Sequence, residues 1–593
     1  MEVRVLGCLG FLLTAVFSSA ASSQAPSPIE IDATSAVILS TSPATKEAAN
    51  ELRIHLNVIA STDVPVSAKP FKGAYEFRFE PCVIDGNAEA CSWEVTPTAT
   101  IFRGEVYFAV IDFLEDALGV RWPQSDIIAC DVANPIRPKM LSGSWKPELK
   151  LRGIRGFRTA PSYHTYLRRM RAGRHNAPSY GHAFTKYWGR FWKTHREYFA
   201  MRSDGVRGPV SAKPGDLSAN IAVALAGHGN DVAMCCTSTG FIAQVVADWV
   251  AAGKKEYINL CENDVPGQHS CQCKKCKALD VVPANVNPKW ETHYSDRYVY
   301  LGNEVLKIAR KYRADVKVCY YAYNATQDAP QREKPDPATV VGVVPTYFDN
   351  EYIHKYVGSW KEAGVVNFFY RPNRHCYYDL PYLPIGAERH FFGVLQYLVS
   401  QGCIGFDYDS PGPRRGGFEW FENYLLLHAM QDPSKPFEYW ENHYFESYGA
   451  AASDVKAYFR YWREEVWQKR LEPARDKIVE MGKCFNFGRG LLHNLGSYYT
   501  ADDFAVVEKH LAAAEAKTLN ASRRELMRRL RMAHEHTKVY FNVVSNKTKE
   551  NTEALIKFRT KFGYPLYSWQ EQYYGDITGV EELLGPEKKE AKK

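Results

Sequence analysis

A chain of 593 residues is too long for one hydrophobic core, because single cores rarely grow past roughly 250–300 residues. Its 45% hydrophobic and 24% charged residues are a globular composition, and a net charge of +7 is mild for the length. Basic residues are spread out apart from RLEPARDK and RRELMRRLR, which sit in helical context, so nucleic acid is not an expected partner.

Residues 1–25 read as a signal peptide. Arg4 precedes the apolar run LGCLGFLLTAVF, and the small residues SSAASSQA follow it. That layout is cleavable and too short to span a bilayer, which implies a secreted or periplasmic protein. The string VLGC ending at Cys8 precedes the apolar run instead of closing it, so it does not read as a lipid-anchor site. No later segment has the roughly 18 uninterrupted apolar residues of a membrane span.

Residues 26–148 read as a compact α/β domain. A helix is expected in SPATKEAANELRIHLNVIAS and strands in YEFRFEP and SWEVTPTATIF. In EVYFAVIDFLEDALGVRWP, Val106, Ala109, Val110, Phe113 and Leu114 fall at i, i+3, i+4, i+7 and i+8. This is an amphipathic helix that should stop near Gly119. Cys82 and Cys91 could close a small disulfide loop in an oxidising compartment. The stretch NPIRPKMLSGSWKPELK is the expected linker.

Residues 149–431 carry eight short apolar runs: LRGIRGF, SYGHAF, DVAMCCT, YINLCEND, VKVCYYAYN, VGVVPTYF, VVNFFYRPN and CIGFDYD. Helical periodicity lies between most of them. Ser295 is the expected N-cap of one helix burying Tyr298, Leu301, Val305, Ile308 and Tyr312; another aligns Phe418, Phe421, Leu425 and Ala429. Strands alternating with helices predict a (β/α)8 TIM barrel with its active site at the strand C-termini. Residues 432–593 read as a helical domain whose aromatics Tyr458, Phe459, Tyr461 and Trp462 are expected in its core.

Polar residues gather at the strand ends: His182, Glu262, Asn263, Asp264, Asn324, Arg371, Asp407 and Asp409. Paired carboxylates at a barrel mouth suit general acid–base chemistry, in which one stays protonated while its partner is ionised. If Ile258 and Leu260 face the helices, Glu262 does too, whereas Asp264, at or past the strand end, is freer to turn over the mouth and ranks above Glu262 as the acid. On the eighth strand Ile404, Phe406 and Tyr408 share one face, which leaves Asp407 and Asp409 on the lumenal one. Arg155 on the first strand is a candidate partner for these acids. Tyr180, Tyr323, Tyr370 and Trp420 could stack on sugar rings or serve as packing.

Cys8 lies in the signal segment, which leaves 13 of the 14 cysteines in the mature chain. Cys271-x-Cys273-x-x-Cys276 places three thiols in six residues. They suit a tetrahedral metal such as a structural zinc, with a fourth ligand from Cys235, Cys261 or His269, or they form disulfides.

The string NLCENDVPGQHSCQCKKCKALD, with GHAF and HREYFAMRSDGVR upstream and GFDYD downstream, resembles the bacterial DUF4838 family. The matching positions are Gly181-His182, His195, Glu197-Tyr198-Phe199-Ala200, Asn263-Asp264 and the three cysteines. Cys235 and Tyr323 also fall where that family places a cysteine and a tyrosine. Val265 stands where the family has glycine, and the loop before Cys271 is longer. GEVYFAVIDFLEDALGVRWP resembles the small domain that precedes the barrel in α-glucuronidases and β-hexosaminidases. The resemblance implies glycoside hydrolase ancestry, with an acid at the end of strand four where Asp264 lies. The hexosaminidase Asp-Glu pair is replaced by Asn-Asp, so its specificity does not transfer.

The expected function is therefore hydrolysis of a polysaccharide or glycan. Asp264 would be the acid, Asp407 or Asp409 the base or nucleophile, and Arg155, His182, Asn263, Tyr323 and Tyr370 the substrate contacts. No cofactor is required for such chemistry. The alternatives are a non-catalytic carbohydrate-binding barrel, or a metal-dependent enzyme using the cysteine cluster.

Overall fold

The computed structural model describes residues 29–155, 161–209, 232–263, 270–281, 294–345, 348–374, 378, 380, 382–409, 417–482, 486–568, 571 and 574–584. Residues 1–25, read above as a signal peptide, and Asp264 and His269 lie outside them.

The N-terminal region builds one six-stranded sheet from β1 (Ala36–Leu39), β2 (Val66–Ser67), β3 (Tyr75–Pro81), β4 (Cys91–Val95), β5 (Ala99–Gly104) and β8 (Ser142–Trp145), in the order β2-β1-β3-β5-β4-β8. β1, β2, β3 and β5 run parallel, and β4 is antiparallel to β5 and β8. The helices Pro43–Ala60 and Val106–Asp112 pack on it, and the second continues through a wider turn over Phe113–Ala117. Gly119 ends that run with φ at +72°, a conformation that favours glycine. A two-stranded ribbon follows, β6 (Arg121–Gln124) and β7 (Ile127–Ala129). Cys82 is exposed and Cys91 is buried in the core, so the two are free thiols and not the expected disulfide.

The barrel sheet contains β9 (Leu151–Ile154), β10 (Gly173–Arg174), β11 (Tyr257–Asn259), β12 (Lys317–Ala322), β13 (Thr339–Val343), β14 (Asn367–Tyr370) and β15 (Cys403–Tyr408). Their order is β10-β9-β15-β14-β13-β12-β11, and every pair except β10–β9 is parallel. The last parallel strand pairs with the first, as a ring of βα units requires. Two of the eight expected strands do not join this ladder among the described residues. The second run, SYGHAF, holds the fourth by an Ala183 N–H to Cys261 carbonyl bond of 2.9 Å. Gly181, at φ +102°, turns its backbone out of a strand path. The third run makes a single bridge, Met234 to Phe199.

Alternation decides what enters the lumen. Leu151, Tyr257, Cys319, Val340 and Phe369 form a cluster separate from the main core, joined by Tyr180, Tyr321 and Ile404. Gly342 keeps this interior open, because a Cβ there would lie 2.5 Å from the Phe369 ring. Ile404 is thus lumenal, not on the face of Phe406 and Tyr408. The register slips between Phe368–Cys403 and Tyr370–Phe406, which inverts the alternation after Ile404. Gly405 permits the slip, as a Cβ there would meet the Leu151 backbone at 2.5 Å.

Helices Thr239–Ala251, Ser295–Ala309, Asn350–Glu362, Glu388–Ser400 and Glu419–Gln431 cover the barrel. Ser295 is the first residue of its helix and not the expected cap, its hydroxyl going to the Asp328 carbonyl; the helix buries Leu301 and Val305, whereas Tyr312 lies beyond its end and is 55% exposed. Glu419–Gln431 is buried nearly all round, because the C-terminal helices pack on its outer side. In that helical region Tyr458, Phe459 and Trp462 are core residues, and half-buried Tyr461 donates its hydroxyl to Asp503. Among the described residues no helix is long and apolar enough to cross a membrane.

Candidate active site

Above the apolar floor of the lumen, the strand ends deliver a polar layer. Asp407 follows Phe406 inward on β15, Asp409 comes two residues later, and Arg155 and Arg371 extend the inward faces of β9 and β14. Arg155 Nε lies 3.9 Å from Asp407 Oδ2, and Arg155 Nη2 lies 3.7 Å from Asp409 Oδ1. Arg371 Nε reaches Asp407 Oδ2 at 3.6 Å. Two cations thus face two anions at separations longer than a hydrogen bond. Arg155 is also held by the Pro372 carbonyl at 2.5 Å, and Arg371 lies over the Tyr321 ring at 5.1 Å. Burial pulls the Arg155 guanidinium below its ordinary pKa, with Asp409 opposing.

Tyr180 plugs the gap left by the irregular second run. Its ring stacks on Phe369 at 4.7 Å, and its hydroxyl donates to Asp407. Burial, then the Asp407 charge, push this phenol upward.

A small cavity of about 70 Å³ opens beside this layer, lined by His182, Asn263, Tyr298, Tyr321, Tyr323 and Asn324 among others. His182 is exposed, and its Nδ1 donates to the Glu262 carbonyl at 2.9 Å, which leaves Nε2 as the acceptor of the neutral ring. Asn263 is buried and donates from Nδ2 to the Val232 carbonyl at 2.7 Å. Asn324 adopts φ +52°, a left-handed conformation that asparagine tolerates.

Two sequence candidates sit elsewhere. The Glu262 carboxylate turns outward and accepts from Tyr298 Oη (2.9 Å), Met234 N (3.1 Å) and Asn263 N (2.8 Å). Burial raises its pKa against those hydrogen bonds, and the group ties the loop to the helix Ser295–Ala309. Tyr370 is fully buried among Phe406, Tyr408 and the helix layer, because its inward neighbours are Phe369 and Arg371. It cannot stack on a sugar at the mouth. Trp420 is likewise buried, edge-on to Tyr166 at 5.1 Å. Tyr321 is the lumenal aromatic that sequence reading passed over, although it alternates with Cys319 on β12.

The strand ends therefore bring together Arg155, Tyr180, Tyr321, Arg371, Asp407 and Asp409, with His182, Asn263, Tyr323 and Asn324 in the adjoining cavity. Such a layer can bind a polyol through charged hydrogen bonds and offers carboxylates for proton transfer.

Among solved structures, the chain is similar to a GH20 exo-β-N-acetylglucosaminidase from Vibrio harveyi in complex with N-acetylglucosamine, with 11% identity over 72% of this chain and 75% of that one and a TM-score of 0.39. It is similar to Streptomyces plicatus N-acetyl-β-hexosaminidase, with 11% identity over 71% and 92% of the two chains and a TM-score of 0.38. A GH138 enzyme targeting pectin rhamnogalacturonan II covers 92% of each chain at 8% identity and a TM-score of 0.43. No curated protein matches the chain. Residues 138–460, more than half of the sequence, match a domain of unknown function, and the chain belongs to that family, DUF4838.

Proposed function

We propose that this protein is an exported glycoside hydrolase that cleaves O-glycosidic bonds in a polysaccharide or glycan. The observation that carries the reading is the pair Asp407 and Asp409 on one lumenal face, opposed by Arg155 and Arg371 at 3.6–3.9 Å. One of these aspartates acts as base or nucleophile. Asp264, outside the described residues, is the general acid by its position after the fourth strand. Arg155, His182, Asn263 and Tyr323 contact sugar hydroxyls, and Tyr321 offers an aromatic face beneath them. Carboxyl separation then sets the outcome, with retention at about 5–5.5 Å and inversion at about 6.5–9.5 Å.

The test is turnover of a glycan panel by wild type and by Asp264→Asn, Asp407→Asn and Asp409→Asn. Loss of at least about 100-fold in kcat with binding retained, for Asp264→Asn and at least one of the other two, supports the reading. Binding by wild type without turnover of any glycan supports a carbohydrate-binding barrel instead.

A further inference from the structure

Four cysteines from two distant stretches meet beside the barrel mouth. Cys235 lies in the third apolar run; Cys271, Cys273 and Cys276 follow the fourth strand. Their Sγ atoms all lie within 4.8 Å of one another, and Cys235 Sγ is 3.8 Å from both Cys273 Sγ and Cys276 Sγ. A tetrahedron with zinc–sulfur bonds of about 2.3 Å has edges of about 3.8 Å. A disulfide needs a contact of about 2.05 Å, and a single sulfur equidistant from two others fits a shared centre better than a pairing.

The surroundings are those of bound thiolates. The Met201 N–H points at Cys271 Sγ (3.2 Å), the Cys276 N–H at Cys273 Sγ (3.5 Å), and the Thr237 hydroxyl is 3.2 Å from Cys276 Sγ. The Arg207 guanidinium donates to Cys235. Lys274, Lys275 and Lys277 alternate with the ligands. Four thiolates around a divalent ion leave two negative charges, and these cations offset them. Cys235, Cys271 and Cys276 are buried, and Cys273 is half-buried.

We propose that Cys235, Cys271, Cys273 and Cys276 bind one Zn²⁺. The thiols release their protons to solvent as the four sulfur–zinc bonds form. With sulfur at all four positions there is no place for water, so the site is structural and not catalytic. The ion staples two pieces that no continuous ladder joins, the third run and the loop leaving the fourth strand, and the Met201 N–H ties the Phe199–Met201 stretch to the ligand Cys271. Arg297 braces the same loop by donating to the Cys271 carbonyl (2.8 Å) while it holds Asp280 (2.5 and 2.6 Å). The inference does not depend on the hydrolase reading.

The full chain, purified without chelator or reductant, is tested by elemental analysis and peptide mapping. One zinc per chain is expected, with all four cysteines alkylated after denaturation in EDTA and iodoacetamide without reductant. Cys273→Ser, the variant at the least buried ligand, should release zinc to a colorimetric chelator at least tenfold faster than wild type. Cys261→Ser should keep wild-type stoichiometry, since that thiol points to the Cys319 carbonyl on the neighbouring strand. Disulfide-linked peptides among the four, iron in place of zinc, or metal below half an equivalent each overturn the proposal, whether or not any variant folds.

Discussion

Two kinds of polar cluster in this protein gather ligand-type side chains, and they differ in what supplies the positive charge. Around Cys235, Cys271, Cys273 and Cys276 the sulfurs are mutually spaced, no carboxylate is among them, and Arg207 touches one of them, Cys235. Glu115, His428 and His443 also bring three donors within 4.8 Å. There the cation is already present. Arg171 Nη1 lies 3.1 Å from Glu115 Oε2, His428 Nε2 is 2.8 Å from Glu115 Oε1, and His443 Nδ1 meets the Tyr424 hydroxyl at 2.7 Å. The group at Glu508, His534 and Glu535 repeats the pattern, with Arg531 at 2.6 Å from Glu508. Donor atoms close in space do not by themselves indicate a metal: where a guanidinium already pairs with a carboxylate among them, they form a lock.

The lock should break with the largest effect. Arg171 is buried, and it also holds Asp112 at 2.8 Å, so it neutralises two buried carboxylates of the N-terminal region from a position next to the barrel. Arg171→Met takes the guanidinium from Asp112 and leaves Glu115 with its histidines alone, a loss that typically costs about 3–5 kcal/mol. Denaturant titration should show that loss while zinc content stays at wild type. A loss below about 1 kcal/mol, or a fall in zinc, would mean that the two clusters do not differ in the way described.

Part of this was legible in the sequence. Period-two alternation placed Asp407 and Asp409 in the lumen and Glu262 among the helices. The same rule applied to the seventh run would have sent Tyr370 outward and Arg371 inward. Ile404 escaped the rule because a bulge intervenes, and the bulge depends on how closely Gly405 approaches Leu151, a tertiary fact. The second run looked strand-like by hydrophobicity, yet Gly181 diverts it and Tyr180 is spent as a lumenal plug. The cysteine spacing suited a tetrahedral metal or disulfides alike and left Cys235, Cys261 and His269 open as the fourth member, because only the fold brings Cys235 across. The lock was invisible, since His428 and Glu115 are 313 residues apart and each alone reads as an ordinary helix residue.

A second contrast concerns reach. Removing zinc by chelation at neutral pH should act locally, since the cluster joins short segments of one side of the barrel. Amide exchange should accelerate at least about tenfold, equivalent to about 1.4 kcal/mol, in Met201–Arg207 and Gln272–Leu279. The helices Glu419–Gln431 and Phe437–Phe445, which carry the lock, should exchange as before. Uniform acceleration across both regions would show that the staple is part of the global fold instead.

The mildest probe is acid, and it should separate two groups within the lock by the pH at which each gives up its contribution. Burial, reinforced by Arg121, holds His443 well below the ordinary imidazole value of 6.5. The unfolded chain therefore takes up a proton near pH 6.5 that the folded chain refuses, so this contribution to stability is present above 6.5 and is lost as the pH falls. Burial pushes the Glu115 carboxyl up, but His428 and Arg171 outweigh it and keep the group well below 4.5. Its contribution is complete above 4.5 and fades only in stronger acid. Between pH 6.5 and 5 the denaturation midpoint of wild type should thus decline through His443 while Glu115 remains ionised. His443→Gln should flatten that decline, at some loss of stability at pH 7.5 because the Tyr424 contact changes. An unchanged slope in the variant would assign the acid sensitivity to another histidine, with buried His55, lowered to about 4 by burial, the next to test.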